Sequence, residues 1–212
     1  MATELPGTTR PGGRTERTRQ AVLHATLAEL AAHGYAGLTV DAVAERSGIH
    51  KTTIYRRWGS AEGLVAAALG LGSEDDWQAP DTGSLRGDLA ALLGELVDYF
   101  TDPALLALPT ASVSAAFLSE RAADALRDFY RDRHARSAVV VSRAIARKEA
   151  PANTDAVEVI RAACGPLFYR LFISRESVDR AVSDGIARSV ALAAAAGAYA
   201  LESWGGAWGG WA

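Results

Sequence analysis

The sequence predicts an all-α fold in two parts, an N-terminal three-helix domain and a larger C-terminal helical domain. Three observations predict it. Residues 39–65, TVDAVAERSGIHKTTIYRRWGSAEGLV, read as two short helices joined by a tight turn. From Leu85 onward apolar residues recur at helical spacing, with no strand-like alternation. Charge is also unevenly placed. Residues 1–64 carry 8 Lys+Arg against 6 Asp+Glu, a net of +2, within a chain of net −3. A slightly basic head on an acidic body fits a small nucleic-acid-reading domain joined to something else.

Residues 1–13 are rich in Pro, Gly and Thr and are expected to be a disordered leader. A helix follows over about 15–33, with Leu23, Leu27 and Leu30 lining one side, and Gly34 placed to end it. Thr39 is a good N-cap for the next helix, whose apolar face is Val40, Val43 and Ala44. Gly48 supplies a turn that needs positive φ. The second short helix runs from about His50 to Trp58. Ile54 and Trp58 share its inner face, which leaves Lys51, Thr52, Thr53, Tyr55, Arg56 and Arg57 on the outer one. Two helices so joined form a helix-turn-helix, with the N-terminal residues of the second helix facing base edges in a major groove. Ser60 caps a further helix over 61–71, completing a domain over residues 14–72.

The polar, acidic stretch 73–84 marks a boundary, followed by a helical domain over 84–200. Its expected helices are 85–101, 103–118, a long charged helix over 120–148, and two apolar helices over 157–173 and 178–199. Small residues such as Ala163 and Ala194, with the knobs Leu167, Leu171, Ile186 and Val190, mark the last two as a surface for a second subunit. Phe100, Phe117, Phe129, Phe168, Tyr169 and Phe172 are candidate walls of a mostly apolar pocket. The tail 201–212 carries Trp204, Trp208 and Trp211 among glycines and reads as disordered.

Several classes are excluded. Cys164 is the only cysteine, so no intramolecular disulfide forms. His24, His33, His50 and His134 show no ligand spacing, so neither metal nor other cofactor is expected. No nucleophile–base pair, paired catalytic carboxylates or glycine-rich phosphate loop stands out, so the chain does not read as an enzyme. No signal peptide opens it and no apolar run spans a bilayer, so the expected place is the cytoplasm, with no membrane.

The run HGYAGLTVDAVAERSGIHKTTIYRRWGSAEGLV (33–65), preceded by a helix bearing Arg14, Arg17 and Arg19, resembles the TetR family of one-component transcriptional repressors. GPLFYRLFISRESVDRAV (165–182) is similar to the penultimate helix and following turn of a common C-terminal domain of that family. The resemblance implies a homodimer on a double-stranded, palindromic DNA operator, released when a small effector binds the C-terminal domain. It implies DNA contacts from Arg14, Thr39, His50, Lys51, Thr52, Thr53, Tyr55, Arg56, Arg57 and Ser60. Which of Arg56 and Arg57 reads a base and which holds backbone stays open. Ala61 stands where the family usually has a lysine on a DNA phosphate, a contact this chain lacks. The rival reading is an all-helical small-molecule-binding protein or enzyme with a vestigial head.

Overall fold

The computed structural model describes residues 13–73 and 76–201. The expected leader with Arg10, the Arg14 side chain and the expected Trp/Gly tail from 202 onward lie outside the described residues. The described residues are helical and form no strand; Thr154 and Ala200 make one isolated bridge. The elements are α1 (Gly13–Gly37), α2 (Val40–Ser47), α3 (Lys51–Trp58), α4 (Ala61–Ser73), α5 (Leu85–Thr101), α6 (Pro103–Ala116), α7 (Glu120–Ser137), α8 (Val139–Ala146), α9 (Ala156–Phe168), a π-helical segment Tyr169–Ser174, and α10 (Arg180–Ala195).

Local chemistry sets most boundaries. Gly34 breaks α1 with φ 65°, as its position predicts. Thr39 caps α2, its hydroxyl accepting from the Ala42 amide at 3.1 Å. Ser84, Asp155 and Asp179 cap α5, α9 and α10 in the same way. Pro103 opens α6, at a helix position where a missing amide costs nothing.

Two elements differ from expectation. The charged helix expected over 120–148 ends at Ser137 and restarts as the apolar α8. Three consecutive valines follow the break, and their restricted χ1 lowers helix propensity there. The helix expected through 173 stays α-helical only to Phe168 and then widens. Pro166 lies inside α9 and cannot donate to the carbonyl one turn back, so the regular ladder is already interrupted there.

Packing divides the chain into two units. The first holds residues 1–72 and 107–126; the second holds 73–106 and 127–212. Residues 107–126 therefore group with the head rather than with the stretches that flank them in sequence. The core of the first unit joins Val22, Leu30, Val43, Ile54, Trp58, Leu64 and Val65 to Ala111, Ala115 and Ala122. Alanines on α6 and α7 let those helices approach closely.

The core of the second unit joins Leu85, Leu89, Leu93 and Val97 of α5 to Val140, Ile160, Ala163, Leu167, Val190 and Ala194. Asp88 is fully buried at the start of α5. It accepts from the Thr82 amide at 2.6 Å and the Thr82 hydroxyl at 2.8 Å, and faces Arg147 at 3.3 Å. Glu149 accepts from the Leu85 amide and from Arg147, which holds its carboxyl below the usual carboxylate range. The Glu149 bond satisfies the Leu85 amide, the first of α5, and the Asp88 bonds hold the Thr82 turn that leads into it. Asp88→Ala is expected to lower stability by about 2–3 kcal/mol in thermal or urea unfolding, because Arg147 loses one carboxylate and Thr82 an acceptor. The effect falls short of that for a fully buried pair, since the Arg147 side chain keeps 28% exposure.

Candidate functional site

The helix-turn-helix is built as its residue pattern requires. Gly48 ends α2 with φ 69° in the left-handed region, where any side chain would be strained. Helix α3 then presents Ile54 and Trp58 to the core. Thr53 is half-buried, while Lys51, Thr52, Tyr55, Arg56 and Arg57 are exposed on the opposite side. His50 stands exposed at the N-cap without a side-chain capping bond. Thr39 and Ser60 are exposed at the starts of α2 and α4, each hydroxyl serving as a cap acceptor. Nine of the ten residues expected to meet DNA thus stand at one end of α2, along α3, or at the start of α4; the tenth is Arg14. Ala61 is half-buried against the core of the head.

The three cations of α3 are not equivalent. The Arg57 guanidinium lies over the Trp58 ring, 5.0 Å from its centroid, and donates to the Thr15 carbonyl at 3.4 Å. Lys51 pairs with Asp41 at 3.5 Å across the turn. Arg56 makes no hydrogen bond or ion pair to the described residues. Behind the helix, Tyr35 donates to Glu62 at 3.1 Å, tying the end of α1 to α4, and Arg46 pairs with the buried Glu29 of α1. A basic, exposed helix face braced at both ends is a surface that can enter a DNA groove.

This geometry agrees with what the chain is similar to. Residues 22–68 match the family described as bacterial regulatory proteins, tetR family, and residues 79–190 match the tetracyclin repressor-like C-terminal domain. The chain belongs to the TetR family. YdeS of Bacillus subtilis, an uncharacterized HTH-type transcriptional regulator, is 28% identical over 191 residues, covering 90% of this chain and 94% of that protein. The regulator Mb1581 of Mycobacterium bovis is 49% identical over 76 residues, 36% of this chain and 37% of that one. The crystal structure of the TetR family transcription regulator SCO0332 superposes with a TM-score of 0.66 at 30% identity, covering 82% of this chain and 97% of that one. This TetR-family chain is a DNA-binding transcriptional repressor.

In the second unit, the residues expected to wall an effector pocket separate. Phe100 of α5 is buried, and Phe129 and Phe168 are half-buried. Phe100 meets Phe168 at 5.5 Å and Phe172 at 5.8 Å, both edge to face, and Phe168 stacks on Phe172 at 6.0 Å. Tyr130 meets Phe168 at 5.5 Å and Phe129 at 5.3 Å. Phe117 does not join them. It is 86% exposed in the turn after α6 and belongs to the first unit. Tyr169 is 57% exposed and makes no ring contact with this group among the described residues. Sequence reasoning missed Tyr130 and His134, whose rings lie 5.9 Å apart. Their i, i+4 spacing beside Phe129 was the available signal.

Four of the six expected subunit-contact residues are corrected in the same way. Ala163, Leu167, Val190 and Ala194 are buried within the chain's own core, and Leu171 and Ile186 are packed against it. The four buried side chains, covered by their own fold, offer nothing to a second copy, whereas Leu171 and Ile186 are half-buried and keep part of their surface. The exposed positions along this stretch are others: Arg161, Gly165, Tyr169 and Ile173 at four-residue steps through α9 and the π-helical segment, then Arg188, Leu192, Ala195 and Ala196 at the end of α10. Ile173 is 70% and Leu192 67% exposed.

Proposed function

We propose that this regulator is a cytoplasmic homodimer that represses from a palindromic operator and is released by a small, largely apolar effector. The observation that carries the reading is the combination of an exposed basic face on α3 with an exposed apolar stripe along α9, the π-helical segment and α10. The stripe combines large residues, Tyr169, Ile173 and Leu192, with small ones, Gly165, Ala195 and Ala196, that let helix backbones approach closely. Apolar area of this kind gains about 25 cal/mol per Å² when covered, and a second copy supplies the matching face by two-fold symmetry. Two α3 helices would then lie one DNA turn apart, about 34–36 Å. Among the described residues no helix is long and apolar enough to cross a membrane. No catalytic role is proposed for any residue.

Within α3 the cations divide their work. Arg56 reaches DNA, whereas Arg57 braces α1 against the recognition helix, and Lys51 exchanges Asp41 for the DNA. In a fluorescence-anisotropy titration with the DNA upstream of the chain's own gene, Arg56→Ala is expected to weaken binding by about 1–3 kcal/mol. Arg57→Ala should cost less. Asp41→Asn frees Lys51 and should tighten binding at low salt. Unchanged affinity in the folded Arg56 variant would refute the assignment of α3 as the reading helix.

A further inference from the structure

Three elements of the second unit bring their aromatic rings together. They are α5 with Tyr99 and Phe100, α7 with Phe129, Tyr130 and His134, and the end of α9 with Phe168, continued by Phe172 in the π-helical segment. Two features of this group go beyond ordinary core packing. The first is polar. Among the described residues neither the Tyr130 hydroxyl nor the His134 ring makes a hydrogen bond, although both side chains are half-buried. Neither group is sealed from water, since no side-chain polar atom among the described residues is fully buried without a partner, so each keeps a donor or acceptor available to water or to a ligand at the edge of the rings. The second is the π-helical segment itself. It follows Pro166 and carries Phe172 onto the face of Phe168. Widened turns of this kind recur at functional sites, where they re-aim a side chain.

The charge in this region is already matched. Glu158 and Arg161, which act on His134 with opposite signs, pair with each other at 3.3 Å. The Arg133 guanidinium lies over the Trp77 and Phe129 rings. Burial pushes Tyr130 up to about 12 and the Cys164 thiol up to about 12, and holds His134 below its ordinary value. Tyr130, His134 and Cys164 are therefore uncharged at neutral pH. A neutral phenol offers one donor and an acceptor, and a neutral imidazole one donor and one acceptor. Nothing in this set supplies an unpaired cation to a carboxylate, and burying a charge without one is expensive.

We propose that the effector is an uncharged planar aromatic molecule bearing a hydroxyl or carbonyl group, its rings lodged against Phe100, Phe168 and Phe172 and its polar group hydrogen-bonded to Tyr130 and His134. The inference rests on the reading of the chain as a ligand-responsive repressor and names the chemistry of its ligand. Tyr130 and His134 act as specificity-determining residues, and the exposed Tyr169 takes no part.

The test uses the full chain and three probes, 1-naphthol, naphthalene and 1-naphthoate, titrated by calorimetry without DNA. 1-Naphthol is expected to bind at least about tenfold more tightly than either of the others, the size of effect that one or two neutral hydrogen bonds give. Tyr130→Phe removes only a hydroxyl that has no hydrogen-bond partner among the described residues, so its melting temperature should hold. Its affinity for 1-naphthol should fall about 3–10-fold while that for naphthalene stays unchanged. A naphthoate preference, equal binding of naphthol by Tyr130→Phe, or no binding of any probe overturns the proposal. Operator binding without probe is measured separately. Failure there removes the repressor reading, while the calorimetry still decides the ligand chemistry.

Discussion

Leu192→Asp is expected to yield a folded monomer that has lost operator binding by a factor on the order of 10²–10⁴, the loss that follows when two linked half-site contacts become one. Leu192 is 67% exposed, so the carboxylate meets water in the monomer and costs the fold little. Across a two-fold interface the same carboxylate would be buried against apolar atoms, and by symmetry the substitution enters twice. Leu167→Asp is the contrasting variant. Leu167 is fully buried within the chain's own core, so a charge there should abolish folding itself rather than assembly. Light scattering for mass, far-ultraviolet circular dichroism for folding and anisotropy for operator affinity separate the two outcomes. A dimeric, operator-binding Leu192→Asp protein would remove the proposed face.

Trp58→Ala is expected to cost about 3–5 kcal/mol and to abolish operator binding. The side chain is 4% exposed and packs in the cluster that holds Val22, Leu30, Ile54, Leu64 and Val65. Its ring also carries the Arg57 guanidinium that reaches α1. Helix α3 has eight residues, too few to persist by propensity, so its shape depends on the two anchors Ile54 and Trp58. Trp58→Phe keeps a ring in the cavity and should recover most of the stability. Thermal unfolding and operator titration of both variants check this. Wild-type affinity in a destabilised Trp58→Ala protein would show that α3 does not need the anchor to read DNA.

The head was legible because its signals are local. Thr39 as a cap, Gly34 and Gly48 at positive φ, and the Ile54–Trp58 spacing each act within a few residues, and each appears in the structure where expected. The exposed face of α3 followed from helical periodicity alone. The distinction between Arg56 and Arg57 did not, because it depends on where the N-terminus of α1 returns to the recognition helix.

The second unit was legible as helices and not as faces. Its α9 and α10 carry apolar residues on more than one side, so periodicity alone could not say which of them meet α5 and which remain outside. Leu167 and Val190 were read as contacts with a second subunit and fill the chain's own core, whereas Leu192 and Ile173 stand exposed. Likewise Phe117 and Phe100 are both aromatic residues near helix ends, and packing leaves the first in water and buries the second. By itself, then, the sequence determined the helix boundaries near strong caps and glycines, the exposed basic face of α3 and the family. Only the tertiary structure decided which apolar residues are core and which are surface. The physical reason is that caps, turns and amphipathic faces are short-range properties of the chain, whereas burial is shared among segments far apart in sequence.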